Sequence, residues 1–407
     1  MKLTDIAAAT TGARADLAAQ LLRWQDDVLA LSRDLHAHPE VAFEEVRAAD
    51  AITTLLEAGG FTIERGTAGL STAFIATAGS GALVIALCVE YDALPGIGHA
   101  CGHNLIAGAS VAAALALAPL ADRLGITIKA IGTPAEEHGG GKVLMLERGA
   151  FDGVHLAMMV HPVQEGQTAN PAGTSAQAVG RYRARFHGQA AHAAAAPHLA
   201  INAADAAVLS QVAVGLLRQQ IPDDHRIALF VREAGHVTNI IPDTAVVDFE
   251  CRAFTLADYE ALVPRVHRCF EGAALATGTT LEITTTQPVY EPLLQNDVLA
   301  KYWTQAMALF GHDTSPARGM SGGSTDMGNI SQVIPSLHPW MSIPGATAPI
   351  HSEAFAAIAD TPAAYEAMFE AAAALAFTAT AIAEDPDHHQ FIQTVSTRTC
   401  VTEDARP

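Results

Sequence analysis

Residues 82–89, ALVIALCV, lead into the loop EYDALPGIGHACGHN (90–104), the run LIAGASVAAALALAPLADRL (105–124) and then ITIKAI (126–131). A continuous apolar stretch of that length, followed by a loop rich in glycine and proline, predicts a strand buried on both faces. The alanine- and leucine-rich run predicts a helix, and 126–131 a second strand. Working outward, a loop (132–141), a short helix (142–148) and a strand (155–160) continue the alternation. Strand, helix, strand, helix, strand is the pattern of a parallel sheet covered by helices. Upstream, Leu21, Leu22, Val28, Leu29, Leu31 and Leu35 fall at helical spacing ahead of Pro39, and a second helix over 44–58 stops at Gly59-Gly60.

The pattern changes near residue 178. Residues 180–187 alternate, with Tyr182, Ala184 and Phe186 against Arg181, Arg183 and Arg185, as a half-exposed strand with one solvated basic face does. A helix (200–219), two strands (227–231 and 244–252), a long helix (256–277) and a strand (280–285) complete a block that fits two helices on one face of a four-stranded antiparallel sheet. From 287 the chain returns to helix (297–310), a glycine-rich loop, a strand and a helix over 361–383, and the tail after Asp385 reads as irregular. The sequence thus predicts an α/β protein: residues 1–177 and 287–407 form one discontinuous domain, with a smaller α+β domain, 178–286, inserted into it.

Composition narrows the function. Half of the 407 residues are apolar and only 16% are charged, against about 25% in an average soluble protein, which excludes a disordered chain. With 43 acidic against 23 basic residues the net charge is −20, and no Lys/Arg cluster stands out, so the basic footprint of a nucleic-acid binder is missing. Residues 1–20 lack the apolar core of a signal peptide. The most apolar runs, 82–89, 111–121 and 371–383, fall short of the roughly 20 residues of a bilayer span, so no membrane association is expected. Five widely spaced cysteines, 88, 101, 251, 269 and 400, predict reduced thiols in a cytoplasmic protein.

The chemistry-bearing residues lie just past the predicted strands, where open parallel sheets bind their ligands. GHACGHN (98–104) follows the first strand, PAEEHG (134–139) the second, VHP (160–162) the third, and PIHSE (349–353) follows a glycine-rich loop near the C-terminus. A thiolate, several imidazoles and a carboxylate converging on one edge suit a divalent transition metal such as zinc or manganese. Gly102 lets Cys101 and His103 leave one tight loop on the same side. The adjacent carboxylates suit a division of labour, with Glu137 a ligand and Glu136 a free general base toward a metal-bound water. Gly96, Gly98 and Gly102 miss the spacing of a dinucleotide loop.

With these segments assembled, the chain resembles peptidase family M20 in its amidohydrolase (D) subfamily. The resemblance runs in order through LHAHPE (35–40), YDALP (91–95), residues 99–104, 133–137 and 160–162, GQAAHAAAAP (188–197), TNIIPD (238–243), GSTDMGN (323–329) and 350–355. It implies a zinc-peptidase-like catalytic domain, a mostly parallel mixed sheet with helices on both faces, interrupted by a ferredoxin-like lid that forms a homodimer. It implies two divalent ions per subunit, Mn2+ or Zn2+ with Co2+ or Ni2+ as alternatives, held by Cys101, His103, Glu137, His161 and His351. Cys101 would bridge them, and Glu136 would be the general base. The wider family carries a ligand histidine in a His-x-Asp motif where this chain has Glu90-Tyr91-Asp92. Asp92 is then expected to hold a ligand imidazole, or else to cap its loop. In the inserted domain the resemblance assigns His192 to the oxyanion and Asn239 to substrate contact. Arg252 would pair with a substrate carboxylate or lie on a solvated strand face.

The implied activity is hydrolysis of an N-acyl amino acid or small dipeptide with a free carboxylate, by attack of a metal-bound water. GHACGHN and GSTDMGN are most similar to the aminobenzoyl-glutamate hydrolase and β-alanyl-dipeptidase branch. Two readings stay open beside it: an aminoacylase acting on acetyl, benzoyl or indole-acetyl conjugates, and a non-catalytic binding protein or partner subunit that kept the fold.

Overall fold

The computed structural model describes residues 4–5, 11–168, 170–314, 323–387 and 390–392. The chain clusters into two compact units. Met1–Ser175, Leu293–Met320 and Asp326–Pro407 form the first; Ala176–Pro292 and Ser321–Thr325 form the second.

The strands of the first unit are β1 (Thr62–Arg65), β2 (Phe74–Ala78), β3 (Leu83–Val89), β4 (Ile126–Gly132), β5 (Leu156–Met158) and β6 (His161–Val163). The second unit contributes β7 (Ala178–His187), β8 (Arg226–Glu233), β9 (Thr244–Ala253) and β10 (Thr280–Thr285), and the chain then adds β11 (Ser336–Leu337) and β12 (Trp340–Ser342) to the first. A six-stranded sheet runs in the order β1-β2-β4-β3-β5-β11. β3 is parallel to β4 and β5, and β11 to β5, while β2 is antiparallel to both its neighbours, so the sheet is mixed. Sequence reading finds β3, β4 and β5 but not β1 and β2, and the reason is visible in β1. It reads TIER, is four residues long and mostly exposed at the sheet edge, too short for an alternation to register. The expected strand over 155–160 contains the shorter β5 of the large sheet, and β6, just beyond its end, pairs separately with β12.

The helix His103–Leu117 buries all of its residues and packs against Pro362–Glu384. Alanine makes that packing close rather than strongly hydrophobic: at Gly108 an added Cβ would stand 2.2 Å from Met368 Sδ. Two of the three apolar runs expected to be too short for a bilayer, 111–121 and 371–383, belong to longer helices. His103–Leu124 and Pro362–Glu384 are each long and apolar enough to cross one, but 89% and 83% of their apolar windows are buried inside the protein. They are core helices.

In the second unit the sheet order is β10-β7-β9-β8, antiparallel throughout, with helices Ala203–Leu217 and Leu256–Thr277 packed on each other and on β9. Phe186, Phe249 and Phe270 stack in its core, the last two with ring centroids 4.4 Å apart. The basic face of β7 is matched by acids on the neighbouring strand. Arg183 stands opposite Asp248 and forks onto it at 2.7 and 3.0 Å, and Arg181 stands opposite Glu250. The tail beyond 392 lies outside the described residues.

Candidate metal centre

Several chain segments meet at the carboxyl edge of the large sheet. β3 ends at Val89 and delivers Glu90 and Asp92; the following loop delivers Cys101 and His103; β4 leads to Glu136 and Glu137; β6 opens with His161; and His351 precedes the helix Glu353–Ile358. Between Cys101 and His103, Gly102 has φ +77°, and an added Cβ would stand 2.6 Å from Pro162 Cγ, next to His161. Only glycine accepts that conformation and that approach without strain. The backbone N–H of His351 donates to Ala100 O at 2.8 Å, so two ligand-bearing loops are tied together.

Two backbone positions here are left-handed without being glycine: Ala135 at φ +62° and His351 at φ +63°. Such conformations persist only where the surroundings hold them. For Ala135 the hold is Glu45, whose Oε1 accepts the Ala135 N–H at 2.9 Å while Oε2 accepts the Thr72 hydroxyl at 2.9 Å. Burial, and then the charge of Asp92, push the Glu45 carboxyl up to about 7.

The side chains converge as two ligand triads with one member in common. Cys101, His103 and His161 present donor atoms within 4.8 Å of one another, and so do Cys101, Glu137 and His351. Cys101 Sγ is 3.3 Å from His161 Nε2 and 3.3 Å from His351 Nε2; Glu137 Oε1 is 3.4 Å from His351 Nε2 and 3.9 Å from His103 Nε2. His103 Nε2 is buried with no hydrogen-bond partner. Buried polar atoms of this kind are costly unless something completes them, and thiolate, imidazole and carboxylate are the donors a divalent transition ion takes. The residues fit the group.

Asp92 orients this set. Its Oδ1 accepts from His103 Nδ1 at 3.0 Å, which leaves Nε2 facing the cluster, and its Oδ2 accepts the Glu137 N–H at 3.0 Å. Burial works against a charged His103, yet the Asp92 charge and hydrogen bond hold its pKa well above the usual imidazole value. The two adjacent glutamates are driven apart. Burial, then Glu90 and Glu137, push Glu136 well up; for Glu137 the bond from His351 and the charge of His103 outweigh burial and bring it down. Burial, with Glu137 next, raises the Cys101 thiol. Asp92→Asn would set an amide donor against one of its two donors. We expect divalent-ion affinity to fall about 10- to 100-fold, read by chelator competition; unchanged affinity would remove Asp92 as the orienting group.

The structure therefore gathers Asp92, Cys101, His103, Glu136, Glu137, His161 and His351. The other three named residues lie in the second unit. There the GQAAHAAAAP and TNIIPD segments pair with each other: His192 bridges to Ile240, Ala193 N–H donates to Asn239 O at 2.9 Å, and Ile241 N–H donates to Ala191 O at 2.9 Å. His192 and Asn239 are exposed. His192 Nδ1 accepts from the Ala194 and Ala195 N–H groups, which places its ring proton on Nε2. Arg252 holds Glu250 at 2.8 Å and donates to Ser324 Oγ at 3.0 Å. Sequence reading gave no role to Glu45, Lys142, Asp326 or His338, all buried around the site. GSTDMGN contains Asp326, the one signal that pointed there.

A mixed α/β sheet whose carboxyl edge gathers two ligand triads around a shared cysteine defines the class as a divalent-cation hydrolase scaffold. The chain belongs to peptidase family M20/M25/M40, whose model matches residues 86–374. It is 37% identical to a mouse Xaa-Arg dipeptidase over 369 residues, 86% of this chain and 84% of the relative. It is 34% identical to a p-aminobenzoyl-glutamate hydrolase polypeptide of Escherichia coli (strain K12) over 320 residues, 72% of this chain and 66% of the relative. Among solved structures, a dinuclear metal binding peptidase from the M20 family of Bacillus subtilis superposes with a TM-score of 0.64 at 24% identity, covering 87% of this chain and 99% of its own.

Proposed function

We propose that this protein is a metal-dependent amidohydrolase that cleaves the amide bond of a small dipeptide or N-acyl amino acid bearing a free carboxylate. The carrying observation is the pair of ligand triads sharing Cys101 with Glu136 beside them. Cys101, His103, Glu137, His161 and His351 would hold two divalent ions, manganese or zinc on this mix of donors. Bound there, such ions polarise the scissile carbonyl and offset the charge that develops on its oxygen. Glu136 takes the proton of the attacking water and returns it to the departing amine. Asp92 keeps His103 turned toward the ligand set. His192, with its proton on Nε2, supplies a donor for the oxyanion; Asn239 contacts the substrate, and Arg252 its carboxylate.

The names of the relatives favour dipeptides and aminobenzoyl-glutamate as first substrates. The test is a panel run with manganese- and zinc-loaded protein: Xaa-Arg and β-alanyl dipeptides, aminobenzoyl-glutamate, and acetyl, benzoyl and indole-acetyl conjugates, ranked by kcat/KM. Hydrolysis of at least one member is expected. A protein that binds no metal and cleaves none of them would be the non-catalytic alternative.

We assign self-association to the second unit. The helix Ala203–Leu217 buries Ala203, Ala206, Ala207, Ser210 and Val214, yet exposes Val208, Val212 and Leu216 at steps of four. A helix apolar all round wants cover on both sides. β8, with Phe230 exposed, is an edge strand of the same sheet. Val212→Asp should weaken dimerisation by roughly 100-fold or more, since a charge forced against its own copy costs several kcal/mol. Light scattering across a dilution series reads this; a wild-type monomer, or an unaffected dimer, would discard the assignment.

A further inference from the structure

Behind the ligand set lies a second buried cluster, of which the proposed reaction uses only Glu136. Glu90, Glu136 and Asp326 place carboxylate oxygens within 4.8 Å of one another, and none is more than 7% exposed. Lys142, fully buried on the short helix Gly141–Glu147, enters among them. Its Nζ is 2.5 Å from Glu90 Oε1 and 2.6 Å from Asp326 Oδ1. Its backbone N–H donates to Asp326 Oδ2 at 2.9 Å, so Asp326 grips the lysine at both ends. The other oxygen of Glu90, Oε2, stands 3.6 Å from His103 Nε2, and Glu136 Oε2 stands 4.0 Å from the same nitrogen. The nest therefore contains the base, Glu136, and borders on the imidazole of one ligand, His103.

A nest of three buried carboxylates would itself attract a divalent cation, because hard oxygen donors are what such ions take. Here it already holds a cation, and one fixed covalently to the chain. Stability alone does not account for it, since a buried ion pair is often no better than apolar packing of the same volume.

We propose that Lys142 is a positioning residue. Its ammonium fills the place of a cation among Glu90, Asp326 and Glu136. That confines divalent ions to the Cys101-centred triads and leaves Glu136 to move protons instead of being drawn in as a ligand. This rests on the reading of Glu136 as the base.

The experiment compares wild type, Lys142→Met and the double variant Lys142→Met/Asp326→Asn, each loaded with Mn2+, desalted, and counted for bound metal by mass spectrometry. The double variant loses one cation and one anion, so it keeps the wild-type charge in the nest and serves if the single variant does not fold. Lys142→Met is expected to retain one more ion per chain than wild type. In the double variant, melting and ion count return to wild type, but kcat stays lowered by roughly 100-fold, the size of a lost general base, with KM within about 3-fold. An ion count in Lys142→Met equal to wild type, or a double variant with restored kcat, would reduce Lys142 to a structural ion pair. The ion count needs no substrate, so a wild type that hydrolyses nothing on the panel sinks the proposed function while the count still decides this point.

Discussion

Glu136→Gln is expected to keep its full metal complement and to lose roughly 10³-fold in kcat, within the 10²- to 10⁴-fold range for a positioned proton acceptor. The substitution changes almost no volume, so the packing around this nearly buried side chain should persist. What it removes is the capacity to take a proton. The neighbouring pair makes the assignment specific. Glu137 lies 3.4 Å from His351 and belongs to a ligand triad around Cys101; Glu136 also comes within reach of His103 and Glu137, but it is in neither Cys101 triad and has Glu90 and Asp326 behind it. The environments push the two carboxyls in opposite directions, the arrangement by which adjacent acids take different roles. Metal content and kcat must be measured on the same preparation. A variant that drops an ion would make Glu136 a ligand, and one that keeps both metal and turnover would end its role as base.

The catalytic edge was legible because ligand chemistry concentrates there. β3 is a run of seven residues from Leu83 to Val89, all apolar, and a cysteine and two histidines within five residues of the next loop have no common packing role. Asp92 was readable only as a candidate; the structure supplies its two bonds, to His103 and to the Glu137 backbone. Lys142 was illegible for a different reason. Its partner Asp326 is 184 residues away in sequence, and a lysine near the start of a short helix reads as solvated until tertiary structure closes over it. Glu90 stands out in the sequence only for not being histidine. The strain at Ala135 and His351 could not be read either, because both residue types ordinarily sit at negative φ. It takes the loops, pinned by Glu45 and by the Ala100 carbonyl, to hold them there.

Cys101→Ala should abolish retention of at least one ion and lower kcat/KM by roughly 10³-fold or more, since ion placement carries both charge stabilisation and substrate orientation. The thiol is the single donor common to both triads, 3.3 Å from an imidazole nitrogen on either side. Each triad would lose the donor that links it to the other, leaving His103 with His161 and Glu137 with His351. Folding should suffer little. Removing one buried sulfur takes away only a small side chain in contact with Leu94 and Ala100, a loss of about 1 kcal/mol, so the metal-free variant should melt close to metal-free wild type. Cys269→Ala is the control: that residue sits half-buried on the helix Leu256–Thr277 of the other unit, and its loss should leave the ion count unchanged. Two ions retained by Cys101→Ala through desalting and chelator challenge would mean that the triads are not bridged by this sulfur. The ligand assignment would then fall back on the three histidines and Glu137 alone.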